Sequence, residues 1–316
     1  MKAVVINKFG GREVLEYTDI DKPNVCEGEV LIRIKAAGVN PVDTKVREGL
    51  LKSRMPHKFP ITLGWDLAGA VVDTGYSARR FVPGDEVYAY ARRMTIQEGT
   101  YAEYIILPES YVTYKPHNLT FEEAASVPLA ALTAYQSIFD KGKLAKNQNI
   151  LIIGASGGVG SFAVQFAKLK GAHVYAVAGA NREEYLKNRG ADYVFDYTQG
   201  NWVKDFKVMV PHGADLVFDC IGKEATVKGY GCTKSHGTLV SIITPPNKEM
   251  MNKYSVNHKY HFVEPNVPQL DKIRDWIEKG KIKVKVQQVF NLADVAKAHE
   301  QIETGHTLGK IVLKMP

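Results

Sequence analysis

The sequence predicts an α/β protein with a β-rich, barrel-like domain and a doubly wound parallel sheet. Three observations point there. Up to about residue 120 the chain offers short β-like runs broken by turns, with no regular helix pattern between them. From about residue 121 apolar strands alternate with amphipathic helices, the signature of parallel crossover units. Toward the C-terminus the texture returns to β around one helix, as a tail does when it rejoins an existing sheet.

In the first part the runs are Lys2–Ile6, Glu29–Ala36, Ala68–Val72, Glu86–Ala89 and Tyr101–Ile106, with turns at Val39–Pro41 and Pro83–Asp85. In the second, Asn149–Ile153 reads as a buried strand, followed by a glycine turn. The helix after it carries Val159, Phe162, Ala163, Phe166 and Ala167 at helical spacing and stops at Gly171. Next come a strand His173–Ala178, a helix from Glu183 to Arg189, and strands at Tyr193–Phe195, Asp215–Phe218 and Thr238–Ile243. A helix marked by Leu270, Ile273 and Ile277 stops at Gly280. The tail reads as a strand Lys283–Phe290, a helix with Val295, Ala298 and Ile302, and a last strand Lys310–Lys314.

Composition narrows the class. Of 316 residues, 45% are hydrophobic and 24% charged, a globular balance. No stretch approaches the roughly 18 uninterrupted apolar residues of a membrane span, and the N-terminus reads as a strand rather than a signal peptide. A cytoplasmic protein without membrane partners is expected. The net charge of +7 is scattered among acids, as in IEKGKIKVKV, which argues against a nucleic-acid partner. Three cysteines, Cys26, Cys220 and Cys232, show no paired spacing and suit reduced thiols. They cannot supply a four-ligand structural zinc site.

The most informative stretch is ILIIGASGGVGSFAVQFAK. Gly154, Gly157 and Gly160, with Gly158, form a variant of the dinucleotide fingerprint between an apolar strand and an amphipathic helix. Small residues let the backbone turn tightly and let a pyrophosphate approach the helix N-terminus, where amides of Ser156, Gly157, Gly158 and Val159 can donate. After the second strand an NAD site usually places an acid on the ribose 2′-hydroxyl. Here the chain reads VAGANR, with no acid before Glu183. Arg182 can instead pair with a 2′-phosphate, so NADPH is the expected cofactor.

A set of segments in order then identifies a family: NPVDTKVREG (Asn40–Gly49), LGWDLAGAV (Leu63–Val71), PGDEV, GTYAEY, the glycine turn and GKIVL (Gly309–Leu313). Across essentially the whole chain they resemble the zinc-independent quinone oxidoreductase branch of the medium-chain dehydrogenase/reductases. The resemblance implies a GroES-like catalytic domain from residues 1–122 and 286–316, a Rossmann domain at 123–285, and an active site in the cleft. It also implies a homodimer. Zinc-dependent members carry a Cys near position 40 and Gly-His-Glu where this chain has Gly64-Trp65-Asp66, so no metal is expected here. Without a Lewis acid, the acceptor must already be electrophilic. A quinone is expected first. An enone reduced at its C=C bond is the alternative, and a non-catalytic NADPH-binding protein the second alternative.

By the same resemblance Asn40 and Asp43 lie beside nicotinamide and substrate. Lys45 stands where many relatives have Tyr, and could stabilise enolate or quinol charge. Thr133 matches a threonine near the nicotinamide, and Tyr197 a tyrosine near the adenosine phosphate. Cys220, Gly222, Ser241 and Ile242 follow strands where open α/β sheets bind ligands, and Phe262 and Lys310 match later cofactor-contact segments. Trp65 suits the core, Asp66 a backbone-ordering role, and Tyr88 and Tyr90 share one strand face that fits core or cleft alike.

Overall fold

A computed structural model describes all residues, Met1–Pro316. The chain forms two compact units. One comprises Met1–Leu129, Pro265–Gly280 and Val284–Pro316, and the other Ala130–Glu264 with Lys281–Lys283.

In the first unit the main sheet runs Val286–Asn291, Lys310–Lys314, Glu29–Val39, Asp66–Thr74, Glu86–Tyr90, Val112–Tyr114, with Tyr104–Pro108 also paired to Glu29–Val39. A smaller sheet joins Glu16–Asp19, Lys2–Ile6 and Ile61–Thr62. Register gathers three polar residues at one place. Ile311 pairs antiparallel with Val39, and Gly38 pairs with Asp66, so Lys310, Asn40 and Asp66 reach one end of the sheet together. Past that end the chain does not merely turn, as Val39–Pro41 suggests. Asn40 caps a helix, Pro41–Arg47, with proline in the first turn and Asp43 at the third position.

The helix Val267–Glu278, expected with the parallel sheet, groups instead with this first unit. Tyr88 Oη donates to Leu270 O at 2.9 Å, and Asn118 Nδ2 to Ile277 O at 3.0 Å. Strand-helix alternation in sequence says nothing about such bonds.

The second unit is a six-stranded, all-parallel sheet ordered Tyr193–Asp196, His173–Ala178, Asn149–Ile153, Ala214–Asp219, Thr233–Ser241, Asn257–Tyr260. In chain order this is 3-2-1-4-5-6, and ligands bind such sheets beyond the carboxyl ends, where the winding reverses between strands one and four. Leu151, Val217, Phe206, Trp202 and Tyr230 fill one core layer. Continuous apolar runs such as NILII are buried on both faces, as parallel strands require.

Candidate active site

At the reversal point three glycines stand in three different settings. Gly154 has φ +81°, a conformation that favours glycine, and its N–H and that of Ala155 both donate to Val177 O, at 3.1 and 3.0 Å. Gly160 is needed for close packing: a Cβ there would lie 2.3 Å from Gly154 O and 2.7 Å from Ala155 Cα. Gly157 differs from both. Its φ is −73°, and an added Cβ would meet only Gly154 O, at 3.6 Å. Neither φ nor packing requires glycine there, although a helix cap favours it modestly over alanine. The side of Gly157 away from Gly154 is open. Gly157 caps the helix Gly158–Leu169, whose first amides, on Gly158, Val159 and Gly160, have no intrahelical acceptor. Ser156 stands half-buried at its entrance.

Beyond the second strand, Asn181 takes φ +59° and delivers Arg182, half-buried, to the start of the helix Glu183–Lys187. The nearest acid in sequence, Glu183, pairs with Lys187 at 2.7 Å. Tyr197 is 52% exposed, its N–H bonded to Ala178 O, and a Cβ on Gly179 would lie 3.4 Å from its hydroxyl. Tyr197 and the turn carrying Arg182 therefore flank the same strand end. Charge follows the same division. The parallel-sheet unit holds 18 lysines and arginines against 11 acids, whereas the first unit is balanced at 23 of each. The whole excess of +7 sits on the unit suited to an anionic dinucleotide.

Across the reversal, Cys220 N–H donates to Ile153 O at 3.1 Å, and Gly222 (φ +85°) turns the chain away. The turn hangs on Asp219, a fully buried side chain. It accepts from the amides of Ile221 and Gly222 at 2.9 Å each, and from the Thr226 and Ser241 hydroxyls. The Ser241 hydroxyl also accepts from the amides of Ile243 and Thr244, so it organises the loop from inside. Ile242 N–H reaches Asp219 O at 3.2 Å. Thr133 is buried in the helix Pro128–Tyr135, and Phe262 is half-buried just past the last strand.

The first unit contributes a buried polar cluster. Asn40 donates through Nδ2 to Asp66 Oδ2 at 2.9 Å and accepts through Oδ1 from Lys310 Nζ. Lys310 also donates to Val39 O at 2.7 Å, and Asp66 Oδ1 accepts from Leu129 N–H at 2.8 Å. Asp43 Oδ2 accepts from Asn40 N–H at 2.8 Å and from Tyr101 Oη at 2.9 Å, while its Oδ1 is buried without a partner. Burial pushes Asp43 up to about 7 against the pull of those two donors, and Asp66 up to about 6 against Lys310. Burial also lowers Lys310, with both carboxylates opposing. Behind Tyr101 lies His299, edge-on at 5.9 Å and pushed down to about 3 by burial and by Arg47. Arg47, 2% exposed, donates to His299 Nδ1, Glu303 and Glu48. Lys45, on the same helix as Arg47, is half-buried and its ammonium is lowered by burial.

Within the first unit the Lys310 ammonium is engaged by Val39 O and Asn40 Oδ1. Tyr101, Arg47 and Asp219 are not among the expected site residues. Tyr101 stands inside a recognised motif, but only the fold shows that its hydroxyl meets Asp43.

Comparison with known proteins decides the family. Residues 26–117 match the model described as alcohol dehydrogenase GroES-like domain, and residues 189–313 the model described as zinc-binding dehydrogenase. The chain is 32% identical to NAD(P)H oxidoreductase RTN4IP1, mitochondrial, of Danio rerio, over 100% of this chain and 91% of the relative. It belongs to the quinone oxidoreductase branch of the medium-chain dehydrogenase/reductases.

As such the chain is an oxidoreductase. It is 34% identical to NADPH-dependent alkenal/one oxidoreductase, chloroplastic, of Arabidopsis thaliana, over 99% of this chain and 79% of that one. Escherichia coli quinone oxidoreductase, solved with NADPH, superposes with TM-score 0.90 at 26% identity, over 99% of this chain and 100% of that one. No helix of the chain is long and apolar enough to cross a membrane, and the two curated relatives are named for mitochondria and chloroplasts. One of the two family descriptions names zinc. No three His, Cys, Asp or Glu side chains of the chain group as a metal would need, and Trp65 is buried.

Proposed function

We propose that this oxidoreductase uses NADPH to reduce a quinone, without zinc. The observation that carries the reading is Gly157, a helix-capping glycine that the fold itself does not require, facing open space at the sheet's reversal point. Arg182 near the second strand's end and the positive excess of that unit favour the 2′-phosphorylated dinucleotide.

When bound, the cofactor supplies a hydride. The protein's residues supply position and proton control. Gly157 and the amides of Gly158 and Val159 seat the pyrophosphate, and Arg182 and Tyr197 flank the adenosine end. Asn40 is held at both ends of its amide, by Asp66 and Lys310, and so fixes the start of the helix that carries Asp43 and Lys45. Asp43 Oδ2 is saturated by two donors, so a proton bound near neutrality resides on Oδ1. Lys45, with the lowered affinity for its proton that burial brings, stabilises negative charge developing on the reduced acceptor. Quinol formation needs one hydride and one proton, and this cluster is where the protein can hold the proton.

An enone is the second reading, favoured by the relative named for alkenal/one substrates. It needs the same hydride and proton. A panel of quinones, enones and simple aldehydes, followed by NADPH consumption, tests both. Turnover of quinones above enones is expected, enones above quinones selects the second reading, and aldehydes alone would overturn both. The strand Asn257–Tyr260, an open edge of the parallel sheet, is the element on which a homodimer would pair, and sedimentation tests it. Fractionation of cells tests the cytoplasmic location.

A further inference from the structure

The π-helical turn Gln136–Lys141 follows the helix that holds Thr133, and π segments often mark functional positions. Its first residue, Gln136, is 5% exposed and grips a segment distant in sequence. Its Nε2 donates to Glu264 O at 2.8 Å, while its Oε1 accepts from Glu264 N–H at 3.0 Å. The side chain therefore pairs with one backbone residue as a neighbouring strand would. His261 Nε2 lies 3.1 Å from the same Oε1, and His261 N–H donates to Ser241 O at 2.9 Å. Burial and Lys141 push the His261 ring down to about 4, against Asp140, so it is neutral and serves as donor. A continuous polar lattice thus runs Asp219–Ser241–His261–Gln136–Glu264.

This lattice lies past the carboxyl ends of strands four, five and six. A dinucleotide spans such a sheet with its adenosine half over strands one to three, where Arg182 stands, and its other half over strands four to six. We infer that Gln136 is a positioning residue: by clamping residues 261–264 to the Thr133 helix it sets the floor on which the nicotinamide half of the cofactor is aligned. The inference rests on the proposal that the protein uses NADPH. Its force is geometric, because hydride transfer depends on alignment at the ångström scale.

Three proteins test it: wild type, Gln136→Met, which keeps volume but loses both polar ends, and Gln136→Glu. A buried glutamic acid reproduces the glutamine pattern only while protonated, with Oε–H as donor and the other oxygen as acceptor. The measurements are binding of NADPH, binding of adenosine 2′,5′-bisphosphate, thermal midpoint and kcat. For Gln136→Met, NADPH binding is expected to weaken roughly tenfold or more and kcat to fall, with adenosine 2′,5′-bisphosphate binding within about twofold of wild type. For Gln136→Glu, NADPH affinity is expected near wild type at about pH 6 and lost by about pH 8.

Equal loss of both ligands in step with the thermal midpoint would show a structural role only and overturn the inference. So would unchanged NADPH binding and kcat. If Gln136→Met does not fold, a flat pH profile for Gln136→Glu overturns the inference by itself. A wild type that binds adenosine 2′,5′-bisphosphate and NADPH not at all would instead defeat the underlying cofactor proposal.

Discussion

Two glycine-to-alanine substitutions three residues apart should separate ligand from fold. At Gly157 a methyl group meets nothing nearer than Gly154 O at 3.6 Å, an ordinary contact, and φ is −73°. The apo protein then loses only the preference of a helix cap for glycine over alanine, about 0.5–1 kcal/mol. In a protein of this size that is a drop of roughly 1–4 °C. The methyl does, however, occupy the pyrophosphate's approach. Displacing one charge-assisted hydrogen bond costs about 1.5–3 kcal/mol, or roughly 10- to 100-fold in NADPH affinity. Gly160→Ala behaves in the opposite way. Its methyl would sit 2.3 Å from one backbone atom and 2.7 Å from another, so helix and strand must part, at a cost of about 3 kcal/mol or more. Calorimetric titration with NADPH beside thermal melts reads both quantities. A Gly157→Ala protein with wild-type affinity, or one as unstable as Gly160→Ala, would refute the assignment of Gly157 to the ligand.

Arg182→Ala should narrow the preference for NADPH over NADH by about 10- to 100-fold in titration, since one charged hydrogen bond is lost; an unchanged ratio removes Arg182 from the 2′-phosphate. Asp43 gives a pH signature. Its folded pKa of about 7 lies above the ordinary carboxylate value of about 3.9, so its stabilising, protonated form is fully present below that value and lost as pH rises through 7. Asp43→Asn cannot titrate, and its stability relative to wild type should improve by about 2–3 kcal/mol between about pH 5 and pH 8 in urea melts. Parallel curves would place the proton elsewhere. Elemental analysis should find well under one zinc per chain, and a chelator should leave turnover intact. Stoichiometric zinc whose removal abolishes activity would overturn the metal-free reading.

The cradle is legible in the sequence because its logic is local. Gly154 to Gly160 are consecutive turn and helix positions, and each spacing maps directly onto backbone geometry. The parallel strands are legible as short apolar runs for the same reason. The polar cluster is not, although resemblance singles out Asn40, Asp43 and Lys310. Residues 40, 66 and 310 meet through strand register, Ile311 against Val39 and Gly38 against Asp66, and no periodicity reports a register between distant strands; Tyr101 joins through its bond to Asp43. The helix Pro41–Arg47 hides behind an Asn-Pro pair that also reads as a turn. The helix Glu224–Cys232 hides behind Gly229 and Gly231; a Cβ on Gly229 would approach Leu239 Cδ1 to 3.0 Å. The helix Val267–Glu278 is visible, but its allegiance is not. That depends on bonds from Tyr88 and Asn118, which lie more than a hundred residues earlier.

The late position of Lys310 has a consequence for how the molecule comes into being. A ribosome releases residues in order, and domains generally fold as their sequence emerges. Nearly all of the parallel-sheet unit is made by Glu264, so it can reach its fold while the first unit still waits for the strands Val286–Asn291 and Lys310–Lys314. Until Lys310 arrives, Asp43 and Asp66 have no buried cation beside them, and their carboxylates remain better solvated than packed. The parallel sheet is therefore complete in the nascent chain before the acid-lysine cluster can close. The order of synthesis completes the parallel sheet first and the buried polar cluster last.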